Sequence, residues 1–182
     1  MKKDYVSEKV MGDHKVRVFY DNDPESPREW DNLGTMVCFH GRYNLGDKHS
    51  YDKRSELKND IMENENVHTI LPLYLYDHSG ITISTSPFGC KWDTTQVGFI
   101  FVSKEKVKSE GIDETRVEEY LENEVKTYDQ YLRGDVYGYE IVKVTTCDLG
   151  HKHEEVIESS YGYYDEDECM ENGVDYLVSC VV

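Results

Sequence analysis

No run of about 20 apolar residues occurs anywhere in this chain of 182 residues, so no segment reads as a membrane-spanning helix. The opening stretch, MKKDYVSEKVMGDH, has no apolar middle of the secretory kind, and an intracellular protein is expected. The five cysteines are odd in number and scattered from Cys38 to Cys180, which argues against a disulfide framework and for reduced thiols. Signature motifs are missing too: no P-loop, no G-x-G-x-x-G after a strand, no G-x-S-x-G, no H-E-x-x-H and no paired C-x-x-C. Seven histidines and many carboxylates still leave room for an unfamiliar site. Internal repeats and low-complexity linkers are absent, so residues 1–182 read as one domain, long enough for a core without staples.

Basic residues are scarce relative to acids: 20 against 37, a net charge of -17. Residues 1–58 hold 11 of each, so the whole excess lies beyond them; from Glu110 onward there are 20 acids and 5 bases. Such a surface repels phosphates, which excludes direct nucleic-acid binding through the C-terminal half and favours a basic partner. Solubility alone is the competing reason for the charge.

The apolar weight falls in residues 70–102, ILPLYLYDHSGITISTSPFGCKWDTTQVGFIFV. Asp77-His78-Ser79-Gly80 and Pro87-Phe88-Gly89 cut it into three strands, and 81–86 alternates with the period of a half-buried strand. A central β-meander over 70–102 is expected. Further strands are expected at 15–20, 35–40, 136–144 and 156–164. Helices are expected near 53–63, and at 115–132 with Val117, Leu121, Val125, Tyr128 and Leu132 as its apolar stripe and a Thr115/Glu118 capping box. The C-terminus after Asp165 keeps helical spacing at Met170, Val174, Leu177 and Val181, with a strand over 174–182 as the competing reading. The fold class is therefore α+β: mostly antiparallel sheet packed with two to three helices.

Three places gather chemistry-bearing residues. Acids at 21, 23 and 25 fail the calcium-loop pattern, with Ser26 and Asn32 where Gly and Glu are needed. Cys38 and His40 would share a strand face, yet a thiolate–imidazole couple needs groups that converge, so packing is the favoured reading. Cys147, Asp148, His151, His153 and Glu154 form a C-x3-H-x-H loop whose spacing matches no structural zinc pattern. No catalytic residue, metal or cofactor is assigned. A metal or thiol site at Cys38/His40 or in the 147–154 loop is the alternative, enzymatic reading. What stands out instead is acid: Glu118, Glu119, Glu122 and Glu124 on the outer face of the second helix, and Asp165-Glu166-Asp167-Glu168 after a tyrosine-rich strand. Glu118, Glu119, Glu122, Asp165, Glu166 and Asp167 are the candidate partner-binding residues. Nine of the 15 tyrosines lie between Tyr120 and Tyr176, beside these acids, and tyrosine is a good interface anchor.

The stretches NDPESPREWDNLGTMVCFHGRYNLGD (22–47), LPLYLYDHSGITISTSPFGCKWDTTQVGFIFVSKEKV (71–107) and VKTYDQYLRGDVYGYEI (125–141) together resemble a family of small bacteriophage and mobile-element proteins from gut bacteria. PREWDNLG and YDHSGITIS carry most of the likeness. Within that family the chain is similar to a type II-A anti-CRISPR. The resemblance implies an inhibitor of a guide-loaded type II CRISPR effector nuclease, acting in the cytoplasm of the bacterial host, and offers no catalytic residues to carry over to this chain. An acidic surface suits a nuclease that holds its heteroduplex in a basic channel.

Overall fold

Alternating apolar and charged residues in HKVRVFY make a strand with one dry face, and the tripled leucines of LPLYLYD make a second. The two lie in different sheets. In the computed structural model, which describes residues 4–89 and 92–180, the chain runs β1 (Ser7–Met11), β2 (His14–Tyr20), β3 (Thr35–Cys38), α1 (Arg54–Glu63), β4 (Val67–Asp77), β5 (Ile81–Ser84) and β6 (Thr94–Ser103). It continues through α2 (Lys104–Ser109), α3 (Val117–Arg133), β7 (Tyr137–Thr146), β8 (Lys152–Tyr163) and α4 (Glu166–Cys180). The class is α+β, with two four-stranded antiparallel sheets. The chain divides into two compact units, one made of 1–25 and 134–182, the other of 26–133.

In the first unit the strand order is β1-β2-β7-β8. Val16, Val18, Tyr139 and Ile141 face α4, whose Cys169 and Leu177 are fully buried against them. The helical reading of the C-terminus holds over Glu166–Cys180; Val181, counted in its spacing, lies outside the described residues. Gly173 weakens a helix in isolation, yet here it sets the packing distance: a Cβ at that position would stand 2.6 Å from Val16 Cγ1 and 3.0 Å from the Tyr139 ring. Glycine costs helix propensity and gains close approach to the sheet.

In the second unit the order is β3-β6-β4-β5. The three strands of 70–102 share one antiparallel sheet, but they do not follow one another in meander order. β4 sits between β5 and β6, because the chain after Ser84 crosses to the other side of β4 instead of folding back beside β5. Pro72 fits within β4 because it lies before the stretch that pairs with β5, where one edge of the strand needs no donor. Leu73, Leu75, Ile83, Val97, Ile100 and Val102 face α2 and α3, which bury Val107, Val117, Leu121, Val125 and Tyr128. On the opposite face Leu57 and Ile61 of α1 cover Val37. Helix α2 was not expected; the Ser103 hydroxyl starts it by accepting the Lys106 N–H at 3.1 Å. Asp113, not Thr115, caps the approach to α3: its carboxylate accepts the Thr115 N–H at 2.9 Å and the Thr115 hydroxyl at 2.7 Å.

Candidate functional site

The second unit is held together by a polar knot that links segments far apart in sequence. Arg28, its side chain only 4% exposed, donates from Nε and Nη2 to the two Asp47 oxygens at 2.8 and 2.9 Å. It also donates from Nη1 to Glu124 at 3.0 Å and from Nη2 to the Gly34 carbonyl at 2.7 Å. Glu124 accepts the Leu33 N–H at 2.6 Å, and Asp47 accepts the Met36 N–H at 2.8 Å. Burial disfavours the guanidinium charge, but the hydrogen bonds and charges of Asp47 and Glu124 outweigh it and hold the Arg28 pKa above its ordinary value. Glu124 is thus a structural carboxylate and not part of a solvated outer face. The interaction spans 96 residues, and no local pattern announces it.

The remaining acids of α3 behave differently. Glu118, Glu119 and Glu122 are exposed. Glu119 pairs with Arg116 at 3.0 Å, and this hydrogen bond holds its carboxyl below the ordinary value. Glu118 and Glu122 have no hydrogen-bond or salt-bridge partner among the described residues. Glu122 also lines a shallow groove of about 330 Å³ with Phe88, Lys126 and Asp129. Asp129 closes the β5 edge of the sheet: it accepts the Ile83 N–H at 2.8 Å and the Thr82 hydroxyl, so strand addition there is blocked.

The second acidic run lies in the other unit, at the start of α4. Asp165 caps that helix, accepting the Glu168 N–H at 2.8 Å. Glu166, Asp167 and Glu168 occupy the first turn, where negative charge complements the helix dipole. Asp165 and Asp167 are exposed and Glu166 is half-buried. This cluster has a structural use of its own, so reversing its charge costs helix stability as well as surface potential.

Cys38 is buried in the core and its thiol is pushed up to about 12, first by burial and then by the Asp47 carboxylate. It is protonated at neutral pH and makes no thiolate nucleophile. The strand ends at Cys38, ahead of His40, and His40 Nδ1 is taken up by the amides of Arg42 and Tyr43, each at 3.3 Å. In the 147–154 turn, Cys147 and His151 meet through the backbone, N–H to carbonyl at 3.0 Å. Glu154 is drawn away to Arg17 and Lys15 at 2.8 Å, and those bonds lower its carboxyl to about 2. Among the described residues no three of His, Cys, Asp and Glu are arranged to hold a metal. In the 21–25 loop Asp21 accepts the Asp23 N–H at 3.1 Å, an ordinary local turn. Cys90 lies outside the described residues.

Two exposed side chains escaped the pattern reading: Trp92, 95% exposed, and Leu149, 84% exposed at the β7–β8 turn. Neither has periodicity around it, which is the signal that pattern reading uses. Compared with protein-family models, with curated proteins and with solved structures, the chain finds no match.

Proposed function

We propose that the chain is a stoichiometric binding protein of phage or mobile-element origin that inhibits a guide-loaded type II effector nuclease in the host cytoplasm. The observation that carries this reading is the outer face of α3, where Glu118 and Glu122 stand exposed with no hydrogen-bond or salt-bridge partner among the described residues and Glu122 borders a groove, in a chain of net charge -17. Carboxylates so placed are free to meet the arginines and lysines of a channel that otherwise holds nucleic acid. Exposed charges of this kind act mainly on encounter rate and specificity. The protonated, enclosed Cys38 supports binding over thiol chemistry. Residues 165–167 serve as a second, lesser patch, since Asp165 is also spent as a helix cap.

The test is titration of the purified chain into a cleavage reaction containing the guide-loaded nuclease. Inhibition complete near equal molar amounts, with nuclease and guide recovered intact, is expected. Inhibition at a small fraction of the nuclease concentration, or covalent change in nuclease or guide, would establish an enzyme instead. No inhibition of any type II nuclease tested would overturn the partner assignment.

A further inference from the structure

The loop between β3 and α1 encloses an open cleft of about 650 Å³ lined by His40, Tyr43, Asn44, Asp47, Lys48 and His49 among others. That is the size range of small-molecule sites. Its walls are fixed before any ligand arrives. Asp47 N–H donates to the Met36 carbonyl at 2.7 Å, the Asp47 carboxylate is clamped by Arg28, and Gly46 N–H donates to the Tyr128 hydroxyl at 3.0 Å. Gly46 has φ +72° and a Cβ there would meet the Met36 carbonyl oxygen at 2.5 Å, so the loop can run past β3 only with glycine at this point.

The lining also has its donors and acceptors set in advance. His40 Nδ1 accepts two backbone amides, so in the neutral ring the proton sits on Nε2, a donor. His49 Nε2 contacts the Cys38 carbonyl at 3.0 Å, and a carbonyl only accepts, so in the neutral ring Nε2 carries the proton and Nδ1 is the acceptor. The His40 and Tyr43 rings stack, centroids 5.0 Å apart at 13°, and the Arg42 guanidinium lies over the Tyr43 ring, 5.6 Å from its centroid, so Tyr43 backs His40 and the outer face of the His40 ring is the stacking surface. Lys48 is exposed with no acidic partner among the described residues, and the lining carboxylate, Asp47, is committed to Arg28. One donor, one acceptor, a stacking surface and a free ammonium together match a heteroaromatic base joined to a phosphate.

We propose that this cleft binds a mononucleotide, the base against the outer face of His40 and the phosphate at Lys48. The site is separate from the acidic face of α3 and does not depend on the function proposed for it. The experiment follows the His40 and His49 ring resonances by NMR while AMP, GMP, CMP and UMP are titrated in turn, with adenosine and inorganic phosphate as part-ligands. Saturable shifts are expected, with at least one mononucleotide about tenfold tighter than either part. Lys48→Ala, an exposed change that leaves the loop bonds alone, is expected to weaken the mononucleotide about tenfold and adenosine not at all. Tyr43→Ala is expected to weaken both. Absence of saturable shifts up to about 10 mM ligand overturns the proposal, as does inorganic phosphate binding as well as the mononucleotides.

Discussion

Replacing Arg28 by Met removes the cation from the knot of the second unit while keeping most of the side-chain volume. Asp47 and Glu124, with side chains 24% and 16% exposed, would then keep their charges with no counter-ion and less water than a surface carboxylate has. Breaking a buried ion pair from one side costs about 3–5 kcal/mol. The partial exposure of both carboxylates places the expected loss near the lower end, about 3 kcal/mol, or roughly a hundredfold in the folding equilibrium. The triple variant Arg28→Met, Asp47→Asn, Glu124→Gln leaves no unpaired charge and is expected to recover more than half of that loss. Arg28→Lys is expected to fall between, because an ammonium cannot span Asp47, Glu124 and the Gly34 carbonyl as the fork does. The assay is urea denaturation at neutral pH, followed by far-UV circular dichroism, at low and high salt. High salt is expected to change the Arg28→Met deficit little, since a buried pair is poorly screened. A loss below about 1 kcal/mol, or one erased by salt, would show that the knot behaves as a surface ion pair and refute the reasoning.

Three further outcomes are expected. Gly173→Ala improves helix propensity by about 1 kcal/mol but drives a methyl against Val16 and Tyr139, so a net loss of about 1 kcal/mol is expected in thermal melts, and a gain would contradict the close-approach role. Glu154, lowered from 4.5 to about 2 by Arg17 and Lys15, contributes stability that is present above about pH 4.5 and lost as pH falls toward 2. Wild type should therefore lose stability more steeply across that window than Glu154→Gln, by a modest amount because the pair is partly solvated; parallel curves would refute the assignment. Iodoacetamide at neutral pH is expected to label exposed Cys180 while Cys38 and Cys169, both buried with thiols raised to about 12, stay unmodified in the folded protein; peptide mass mapping reads this directly.

Periodicity made most of the elements legible. The stripe Val117, Leu121, Val125 and Tyr128 marked α3, and all four are buried where their spacing put them, while Leu132 at its end is half-buried. β1 was not legible, because SEKVM has no apolar alternation and pairs only by virtue of the two-residue Gly12-Asp13 turn into β2. The order of β4, β5 and β6 was not legible either, since strand neighbours are decided by where a connection crosses and not by the strands' own patterns. At the site, the exposed positions of Glu118, Glu119 and Glu122 followed from the helix stripe, but Glu124 needed Arg28 to be placed beside it in space. The cleft was half visible: Cys38 and His40, which both line it, stood out as a possible thiolate–imidazole couple. Which ring nitrogens carry protons depends on loop hydrogen bonds that no sequence pattern encodes.

The acidic face of α3 is tested most directly by affinity for the guide-loaded type II nuclease at about 0.1 and 0.3 M salt, comparing wild type with Glu118→Gln, Glu119→Gln, Glu122→Gln combined. Glutamine is preferred to lysine because Glu118 and Glu119 sit in the first turn of α3, where a positive charge would oppose the helix dipole. Loss of three rim charges is expected to weaken binding roughly tenfold at the lower salt, mainly through slower association, and to flatten the salt dependence. Equal affinity and an equal salt slope in the variant would contradict the account and leave the charge of α3 as a solubilising surface.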